Sequence, residues 1–433
     1  MKYSAPRGTR DYLPPYSTAM REVVRRASEV LESYAFLPVD TPIFEASELF
    51  VRSIGEQTDI VSKEMYTFAD RKGRQLTLRP EGTASVVRAY LENGLEQLGV
   101  ERLYYVGPMF RYERPQAGRQ RQFLQLGVEI FADPGPEVDA EVIQLLMAIC
   151  QAVGLTGLTV QLNSLGCPAC RAGYSDSVKA ALASRISSLC PECVQRLEKN
   201  PLRVLDCKVE RCTDAFSEVP SIQESLCGAC REHFESVRSL LGRLDIPFTL
   251  DPRLVRGLDY YTRTAFEVQI PGATGAQNAV GGGGRYDLLV EQLGGKPTPA
   301  VGFAIGLERL LSLVQSQGVD ILPPGGKLVY LAATSAEGRA RALELASALR
   351  ARRVACLIDR SRGANLGKQF KQAGRMGARA VAVLGDDEVE KRAVAVKDMV
   401  TREQVTVPME RAVEQILAVL ARVETPAGKV ERS

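Results

Sequence analysis

The sequence has one histidine and no tryptophan among its 433 residues, and its charges nearly cancel. With His233 as the only histidine, Ser-His-Asp or Cys-His catalysis is excluded nearly everywhere in the chain, so any chemistry must use arginine, carboxylate, tyrosine and backbone groups. No stretch approaches the roughly 20 apolar residues of a membrane span. No apolar run follows the charges of the first 15 residues either, so we expect a cytoplasmic protein with no signal peptide and no membrane partner.

The overall composition is that of an ordinary globular protein. Hydrophobic residues make up 45% and charged residues 25% of the chain, and its length allows two or three domains with cores of their own. The net charge is only +3, but residues 321–433 contain 20 basic against 13 acidic side chains. Within residues 350–379, nine are basic and one is acidic. A basic C-terminal third favours a polyanionic partner, although a solvated helix face is the commoner cause of such a charge run.

Residues 101–131 read as a strand, a basic polar loop and a second strand. Side chains alternate between the two faces of a strand. In the second strand, the even positions Leu124, Leu126, Val128 and Ile130 therefore share one face, and the odd positions Gln125, Gly127 and Glu129 share the other. The even positions are apolar, which predicts a hairpin with an apolar back and a polar front. The front could simply face water. Glutamine and glutamate are poor strand formers, however, and this favours the floor of a pocket.

Two segments of this hairpin, FRYERPQ and RQFLQLGVEIF, resemble motif 2 of class II aminoacyl-tRNA synthetases in the form found in histidyl-tRNA synthetases. FLPVDTPIFE, with Pro42, resembles motif 1, and GFAIGLERLL resembles motif 3. LVRGLDYYTRTAFE and VGGGGRYD resemble the two histidine-specific signatures of the family. A glycine run alone is most often a turn, but Arg285 and Tyr286 directly after it strengthen a phosphate-binding interpretation.

The resemblance covers nearly the whole chain and implies an α+β fold. Its core would be the class II antiparallel sheet of six or seven strands flanked by helices, in a catalytic domain of residues 1–325 with a small helical cysteine-rich insertion at about 166–240. ILPPGGK reads as a linker. Strands and helices then alternate over 326–424, which predicts a largely parallel α/β domain similar to the anticodon-binding domain of several class II synthetases. Residues 425–433 would be a disordered tail.

For ATP, the resemblance assigns four side chains. Arg111 and Arg256 would be catalytic, because fixed cations stabilise the charge that builds at the α-phosphate during histidine activation. Arg309 would hold the γ-phosphate and stack on adenine, while Glu113 would face the adenine amino group. Arginine suits these tasks because its guanidinium is planar, always charged and bidentate. Mg²⁺ would accompany the ATP.

For histidine, the resemblance assigns two sets of residues. The α-ammonium would be recognised by Glu81, Thr83 and Gln125. The imidazole would be recognised by Glu129 and Tyr261, with Tyr260 and Tyr286 close by. At the start of a helix, however, a carboxylate and a hydroxyl are also typical of helix capping, which is a strong alternative for Thr83.

The resemblance also implies macromolecular partners. Arg114 and Gln116 of the motif 2 loop would contact the acceptor end of tRNA(His), and the basic region 350–379 would approach the anticodon stem. Motif 1 is the dimer interface in the family, so we expect a homodimer. The implied activity is that of a histidine–tRNA ligase, with L-histidine and ATP as its other substrates.

Eight of the ten cysteines lie between Cys167 and His233, as CPAC, CPEC, CKVERC and CGAC. With no secretory signal, metal ligands or free thiols are favoured over disulfides. The first two motifs have 19 residues between them, which is the spacing of a four-cysteine zinc site, and the last two could form a second. The alternative is a helical insertion with reduced cysteines. Structural zinc is therefore a candidate that the family resemblance does not supply.

Two other functions compete with the ligase. The regulatory subunit of ATP phosphoribosyltransferase shares the catalytic fold without catalysis, but it typically lacks the anticodon domain and has broken histidine signatures. This sequence has both the anticodon-binding region and intact histidine signatures. An RNA-binding protein without catalysis would leave the polar residues of the hairpin without a role. The sequence therefore favours the ligase.

Overall fold

The computed structural model describes residues 3–56, 58–115, 119–271, 279–321, 328–360 and 365–422. The chain divides into two units, residues 1–321 and 322–433. Most of the predicted linker and the predicted tail lie outside the described residues. Among the helices that are described, none combines the length and the apolar character that a bilayer crossing requires.

The first unit is a mixture of strands and helices. Its strands are β1 (Leu37–Pro38), β2 (Phe44–Ala46), β3 (Tyr66–Ala69), β4 (Gln75–Leu78), β5 (Arg102–Phe110), β6 (Gln122–Phe131), β7 (Thr159–Ser164), β8 (Phe248–Leu250), β9 (Thr262–Gln269), β10 (Ala279–Arg285) and β11 (Ala300–Gly306). Its α-helices are α1 (Tyr16–Ser33), α2 (Ser47–Ile54), α3 (Thr83–Glu92), α4 (Pro136–Ala152), α5 (Pro168–Leu182), α6 (Pro191–Lys199), α7 (Glu210–Ala215), α8 (Gly228–Arg243), α9 (Leu289–Gln292) and α10 (Leu307–Ser316).

The main sheet of this unit has eight strands in the order β1-β5-β6-β11-β10-β9-β7-β8. The six central strands are antiparallel, and the short edge strands β1 and β8 pair in parallel with β5 and β7. The antiparallel core is thus as expected, but the predicted count of six or seven strands is too low. The edge strands have only two and three residues, too few to give a periodic signal in the sequence.

One face of the sheet is covered by helices α1, α4, α8 and α10. Leu126, Val128 and Ile130 of β6 are buried there in the main hydrophobic core. Gln125 and Glu129 occupy the opposite face of the same strand, where they are also buried. The predicted hairpin with an apolar back and a polar front is therefore confirmed, and the polar front does not face water.

The glycine run is not a turn. Gly281 to Gly284 form the middle of β10, paired on one side with β9 and on the other with β11. A Cβ atom at Gly283 would lie 1.9 Å from the carbonyl oxygen of Gly302 on β11. The run therefore allows an unusually close approach of three backbones in the centre of the sheet.

The insertion leaves the sheet after β7 and returns to it at β8. Because β7 and β8 are parallel neighbours, the beginning of α5 and the beginning of α8 come together at the base of the insertion. The cysteines consequently group in a different way from the predicted one. One group joins the first and last motifs, and the other joins the two middle motifs: Cys167, Cys170, Cys227 and Cys230; Cys190, Cys193, Cys207 and Cys212. The predicted pairing of successive motifs is wrong, because proximity follows the path of the insertion and not the order of the motifs.

The second unit has strands β12 (Val329–Ala333), β13 (Cys356–Ile358), β14 (Ala380–Leu384), β15 (Ala393–Asp398) and β16 (Gln404–Pro408). Its α-helices are α11 (Ala336–Ala351), α12 (Leu366–Arg375), α13 (Asp386–Glu390) and α14 (Ala412–Ala421). The sheet order is β13-β12-β14-β15-β16. The first three strands are parallel, but β15 and β16 are antiparallel to their neighbours.

The prediction of a largely parallel sheet is therefore only half right. Eight residues separate β14 from β15, and a parallel crossover needs a dozen or more. The chain between β15 and β16 is shorter still. Both connections are thus too short for parallel pairing, and the strands reverse direction.

We expect Gly283→Ala to lower the melting temperature strongly, because the added methyl group would overlap the β11 backbone in the centre of the sheet and such overpacking costs roughly 1–3 kcal/mol or more. Gly173→Ala is the matched control. Its Cβ would meet no atom within 4 Å, and alanine inside a helix is favoured over glycine by roughly 0.5–1 kcal/mol. Differential scanning calorimetry of both variants checks the prediction, and equal melting temperatures would contradict it.

Candidate active site

A cavity of about 310 Å³ opens on the polar face of the main sheet. Its wall includes residues of β5, β6, β9, β10 and β11, the start of α3, the segment 256–261 and the start of α10. Every residue predicted to bind histidine or ATP lines it: Glu81, Thr83, Arg111, Glu113, Gln125, Glu129, Arg256, Tyr260, Tyr261, Tyr286 and Arg309. These residues span more than half of the chain, and the fold brings them together around one cavity.

Of the two residues predicted to contact the tRNA acceptor end, Arg114 is not part of that wall. Arg114 is exposed on the loop that follows β5. Gln116 lies outside the described residues. The basic region 350–379 belongs to the second unit, where α12 carries part of it.

Glu129 is the most deeply buried carboxyl group of the cavity wall. Thr83 Oγ1 donates a hydrogen bond of 2.8 Å to Glu129 Oε1, and the Tyr286 hydroxyl donates to Glu129 Oε2. Burial raises the pKa of Glu129 to about 8; the two hydrogen bonds oppose this rise, and the nearby Glu81 adds to it. Near neutral pH, the group can therefore exchange a proton.

Glu81 is a second buried carboxyl group in this wall. Its two oxygen atoms accept hydrogen bonds from the backbone N–H groups of Thr83 and Ala84, at 2.6 and 2.9 Å. The capping alternative is thus correct for Glu81, which satisfies the first amides of α3. It is wrong for Thr83, since its hydroxyl reaches Glu129 across the cavity floor. Burial raises the pKa of Glu81, and the backbone hydrogen bonds oppose that rise.

Arg111 and Arg256 contribute two guanidinium groups. Arg111 Nε donates to the carbonyl oxygen of Pro80 at 2.8 Å, and its guanidinium lies 5.4 Å from the centre of the Phe123 ring. Arg256 Nη1 donates to Glu267 at 3.3 Å. Its Nε is buried with no hydrogen-bond partner among the described residues. An unpaired buried donor is costly, so this nitrogen is a candidate for a ligand contact.

Arg309 enters the cavity from the first turns of α10. Its Nη1 donates to the carbonyl oxygen of Ala279 at 3.3 Å. Burial lowers the pKa of Arg309, and the positive charge of Arg119 lowers it further. An anion bound between these two cations would relieve both effects. Arg119 also forms an ion pair of 3.2 Å with Glu113, which joins the two ends of the motif 2 loop.

Tyr105 also lines the cavity and was not predicted from the sequence. Its ring fills the space above two glycines, since a Cβ at Gly82 or at Gly127 would lie 2.2 Å from a Tyr105 atom. The Tyr105 hydroxyl and Gln125 Oε1 are both buried without a hydrogen-bond partner among the described residues. Tyr105 pairs with Gly127 in the sheet register. A glycine between Gln125 and Glu129 on the polar face was the available signal, because it leaves room for a large side chain from the neighbouring strand.

Glu267 and Glu308 also line the cavity and were missed. Glu308 Oε1 accepts hydrogen bonds from the backbone N–H of Leu124, at 2.7 Å, and from the Tyr12 hydroxyl. It therefore joins α10 to the beginning of β6 and to the N-terminal loop. Both glutamates lie within quoted motifs, Glu267 at the end of LVRGLDYYTRTAFE and Glu308 in GFAIGLERLL, but no role was assigned to either.

Arg285 and His233 lie behind the wall in a buried network with Asp139. His233 Nε2 is 2.7 Å from Asp139 Oδ2, and Arg285 Nε donates to Asp139 Oδ1 at 2.9 Å. Burial by itself would raise the pKa of Asp139, but the hydrogen bond from His233 and the charge of Arg285 hold it below its ordinary value. Arg285 is fully buried and its charge is neutralised inside the protein, so it does not strengthen the phosphate-binding interpretation of the glycine run.

Known proteins resemble this chain over almost its whole length. Residues 8–310 match the family model described as histidyl-tRNA synthetase, and residues 319–418 match that of the anticodon binding domain. The histidine–tRNA ligase of Desulforudis audaxviator is 50% identical over 418 residues, 96% of this chain and 99% of that protein. That of Halothermothrix orenii is 47% identical over 417 residues, with the same coverage. The crystal structure of apo S. aureus histidyl-tRNA synthetase is 35% identical, with a TM-score of 0.81 over 96% of this chain and 99% of that one.

The raised pKa of Glu129 predicts a pH-dependent stability. Because the folded-state pKa of Glu129, about 8, lies above its ordinary value of 4.5, the stability contribution of this group is complete below about pH 4.5 and is lost as the pH rises to about 8. Glu129→Gln removes this titration. We therefore expect the melting temperature of the variant, relative to that of the wild type, to rise as the pH goes from 5 to about 8.5. Tyr286→Phe removes a hydrogen bond that lowers this pKa and should steepen the loss instead. If the melting temperatures of the three proteins changed equally with pH, the raised pKa of Glu129 would be contradicted.

Proposed function

The chain belongs to the histidyl-tRNA synthetase family, and we propose that the cavity of its first unit is where it binds and activates histidine. The activity is that of a histidine–tRNA ligase. L-histidine and ATP form histidyl-adenylate and release pyrophosphate, and the histidine is then transferred to the 3′ end of its tRNA with formation of AMP. The full-length similarity to histidine–tRNA ligases supports this activity over the regulatory paralogue.

Arg111 and Arg256 are the proposed catalytic residues. When the histidine carboxylate attacks ATP, negative charge builds at the α-phosphate, and cations that are already in position there stabilise the transition state more than the ground state. The observation that carries this proposal is the unpaired Nε of Arg256, a buried donor in the cavity wall. Its Nη1 contact with Glu267 and the contact of Arg111 with Pro80 hold the two groups before substrate arrives.

ATP would extend from these two arginines towards Arg309 and Glu113. Arg309, next to the cation Arg119, would hold the γ-phosphate and stack on adenine, and an anion there would offset the burial and the repulsion from Arg119 that lower the pKa of Arg309. Glu113 would accept a hydrogen bond from the adenine amino group. Mg²⁺ would enter with the ATP, coordinated by the ATP phosphates and by water.

Histidine would be bound at the inner end of the cavity. Glu81, Thr83 and Gln125 would recognise its α-ammonium, and the unpaired Oε1 of Gln125 is an acceptor ready for such a donor. Glu129 would bind the imidazole, together with Tyr261 and with Tyr260 and Tyr286 beside it. A carboxyl group with a pKa of about 8 can donate or accept, which suits a ring with one donor and one acceptor nitrogen. Such a site rejects amino acids that leave its buried polar groups unpaired.

The tRNA would contact both units. Arg114 and Gln116 of the motif 2 loop are proposed to meet the acceptor end, and the exposed position of Arg114 supports this. The basic region 350–379 is proposed to approach the anticodon stem, and its match to the anticodon binding domain supports that contact. Binding through phosphate contacts should weaken as salt is raised. We place this tRNA chemistry in the cytoplasm.

We also propose that the protein is a homodimer that pairs through motif 1. Large apolar side chains of this region are exposed, among them Leu37 on β1 and Phe44 on β2. Phe44 and Phe68 form an exposed edge-to-face pair with ring centres 6.3 Å apart. Exposed apolar side chains grouped in this way are typical of a protein interface.

Arg256→Ala should reduce histidine-dependent ATP–pyrophosphate exchange by about 100-fold or more, the effect of removing one preorganised donor to a transition-state oxyanion. Its melting temperature should change little, since the side chain makes few contacts. Arg253→Ala is the matched control, because Arg253 is exposed on the same segment. Near-normal exchange by Arg256→Ala would end its catalytic assignment.

The same exchange assay, run with each of the twenty amino acids singly, tests the proposed site as a whole. Exchange with histidine alone is expected. A folded sample that exchanges with no amino acid would contradict the activity and favour the regulatory paralogue.

Phe44→Glu should shift the protein from dimer to monomer in sedimentation equilibrium, because it places a charge in the proposed apolar interface. Phe44 is 51% exposed in the single chain, and Ile186 of the insertion is 46% exposed. Ile186→Glu is therefore the matched control and should remain dimeric. A Phe44→Glu protein that stays dimeric would show that this face is not the interface.

A further inference from the structure

The thiols of the insertion form two closed clusters. We call them cluster A and cluster B, and their members are Cys167, Cys170, Cys227 and Cys230 for A, and Cys190, Cys193, Cys207 and Cys212 for B. Within each cluster all four sulfur atoms lie within 4.8 Å of one another. All eight cysteines are free.

The sulfur separations fit a shared ion and not a disulfide. Cys167 Sγ and Cys170 Sγ are 3.5 Å apart in cluster A, and Cys190 Sγ and Cys207 Sγ are 3.9 Å apart in cluster B. A disulfide requires about 2.05 Å. Four sulfur atoms at about 2.3 Å from a tetrahedral zinc ion lie about 3.8 Å from one another. In each cluster one separation is close to this value, and no separation exceeds 4.8 Å.

Backbone N–H groups point at the sulfur atoms. The amide of Cys227 donates to Cys170 Sγ at 3.1 Å in cluster A, and the amide of Cys190 donates to Cys212 Sγ at 3.1 Å in cluster B. In addition, Cys167, Cys190 and Cys227 are each the residue directly before a helix. Amide donors and helix N-termini both stabilise the thiolate form that binds metal.

We propose that each cluster binds one zinc ion as a structural four-thiolate site, and that the two ions together hold the segment 251–261 against the cavity. Four protein ligands leave no open position for a substrate, so the ions would be structural and not catalytic. Each cysteine gives up its proton on binding. The link to the cavity rests on the proposed function, because Arg256, Tyr260 and Tyr261 lie on that segment.

Cluster A reaches the segment through Arg171, the residue after Cys170. Arg171 Nη1 donates to the carbonyl oxygen atoms of Tyr261 and Asp259, at 3.1 and 3.3 Å. On the other side of the cluster, α8 carries His233 one turn after Cys230, and His233 contacts Asp139 of the buried network. Cluster A thus holds in place two connections to the cavity wall, one through Arg171 and one through His233.

Cluster B reaches the same segment through the chain between Cys193 and Cys207. Asn200 Nδ2 donates to Asp259 Oδ1 at 3.0 Å, and Arg203 Nη2 donates to the carbonyl oxygen of Gly257 at 2.8 Å. Residues 251–261 contain no strand or helix. Side chains of the insertion therefore provide hydrogen bonds that regular structure would otherwise supply.

Metal analysis of the purified full-length protein should find two zinc ions per chain. Replacement by Co²⁺ should give the intense visible bands of tetrahedral cobalt thiolate. Less than one zinc ion per chain, or disulfides within the clusters by mass spectrometry, would overturn the proposal.

Two double variants test how the cysteines are grouped. Cys167→Ser with Cys227→Ser removes two ligands from cluster A only, so one zinc ion per chain should remain. Cys167→Ser with Cys190→Ser removes one ligand from each cluster and should weaken both sites. If successive motifs were paired instead, the two results would be exchanged. Cys150→Ser, at a buried cysteine outside both clusters, is the control and should keep two ions.

The link to the cavity is tested by comparing zinc-loaded and chelator-treated protein. Zinc removal should lower the melting temperature and raise the KM for histidine in pyrophosphate exchange, and added zinc should restore both. An unchanged KM in metal-free protein would overturn the link. If the zinc-loaded protein itself showed no exchange, the proposed function would fail, while metal content and cobalt spectra would still decide whether the clusters bind metal.

Discussion

The burial of Glu129 in the centre of the main sheet is the constraint on which the rest of the site depends. A carboxyl group there needs donors and close-fitting surroundings. Thr83 at the start of α3 and Tyr286 after β10 provide the donors. Gly302 on the adjoining strand provides the space, since a Cβ there would lie 2.3 Å from Glu129 Oε2. Burial raises the pKa of this carboxyl group to about 8 although the two hydrogen bonds oppose the rise, so near neutral pH the group can donate or accept a proton.

Support for this arrangement comes from behind the cavity wall. Tyr286 follows Arg285, whose fully buried charge is neutralised by Asp139 and stabilised by carbonyl oxygen atoms of the loop before α4. Asp139 also contacts His233 of the insertion. Removing one partner of such a buried pair leaves an uncompensated charge, which costs several kcal/mol. The insertion is therefore connected to the catalytic sheet through a buried network and through its hydrogen bonds to residues 251–261.

Much of this could be predicted from particular residues. The alternation of apolar and polar residues in β6 fixed which side chains face the core, because the strand period of two leaves no other arrangement. The motifs identified the residues that line one cavity. Tyr105 was not predictable in the same way. Its ring fills the space above Gly82 and Gly127, and those two residues are 45 positions apart along the chain. The place of the glycine run within a strand was not predicted either, because it depends on close backbone contact with both neighbouring strands.

By itself, the sequence determined the local periods of the strands and helices, the order of the motifs and the family of the chain. Only the tertiary structure decided which distant residues meet. The cysteines are the clearest case: the motif spacing predicts that successive pairs combine, but the return of α8 to the strand beside β7 joins the first pair to the last. The role of Thr83 was likewise decided by β6, which places Glu129 within reach of its hydroxyl, whereas the capping by Glu81 is local to the start of α3. Sequence patterns report neighbours along the chain, whereas burial, proximity and pKa depend on neighbours in space.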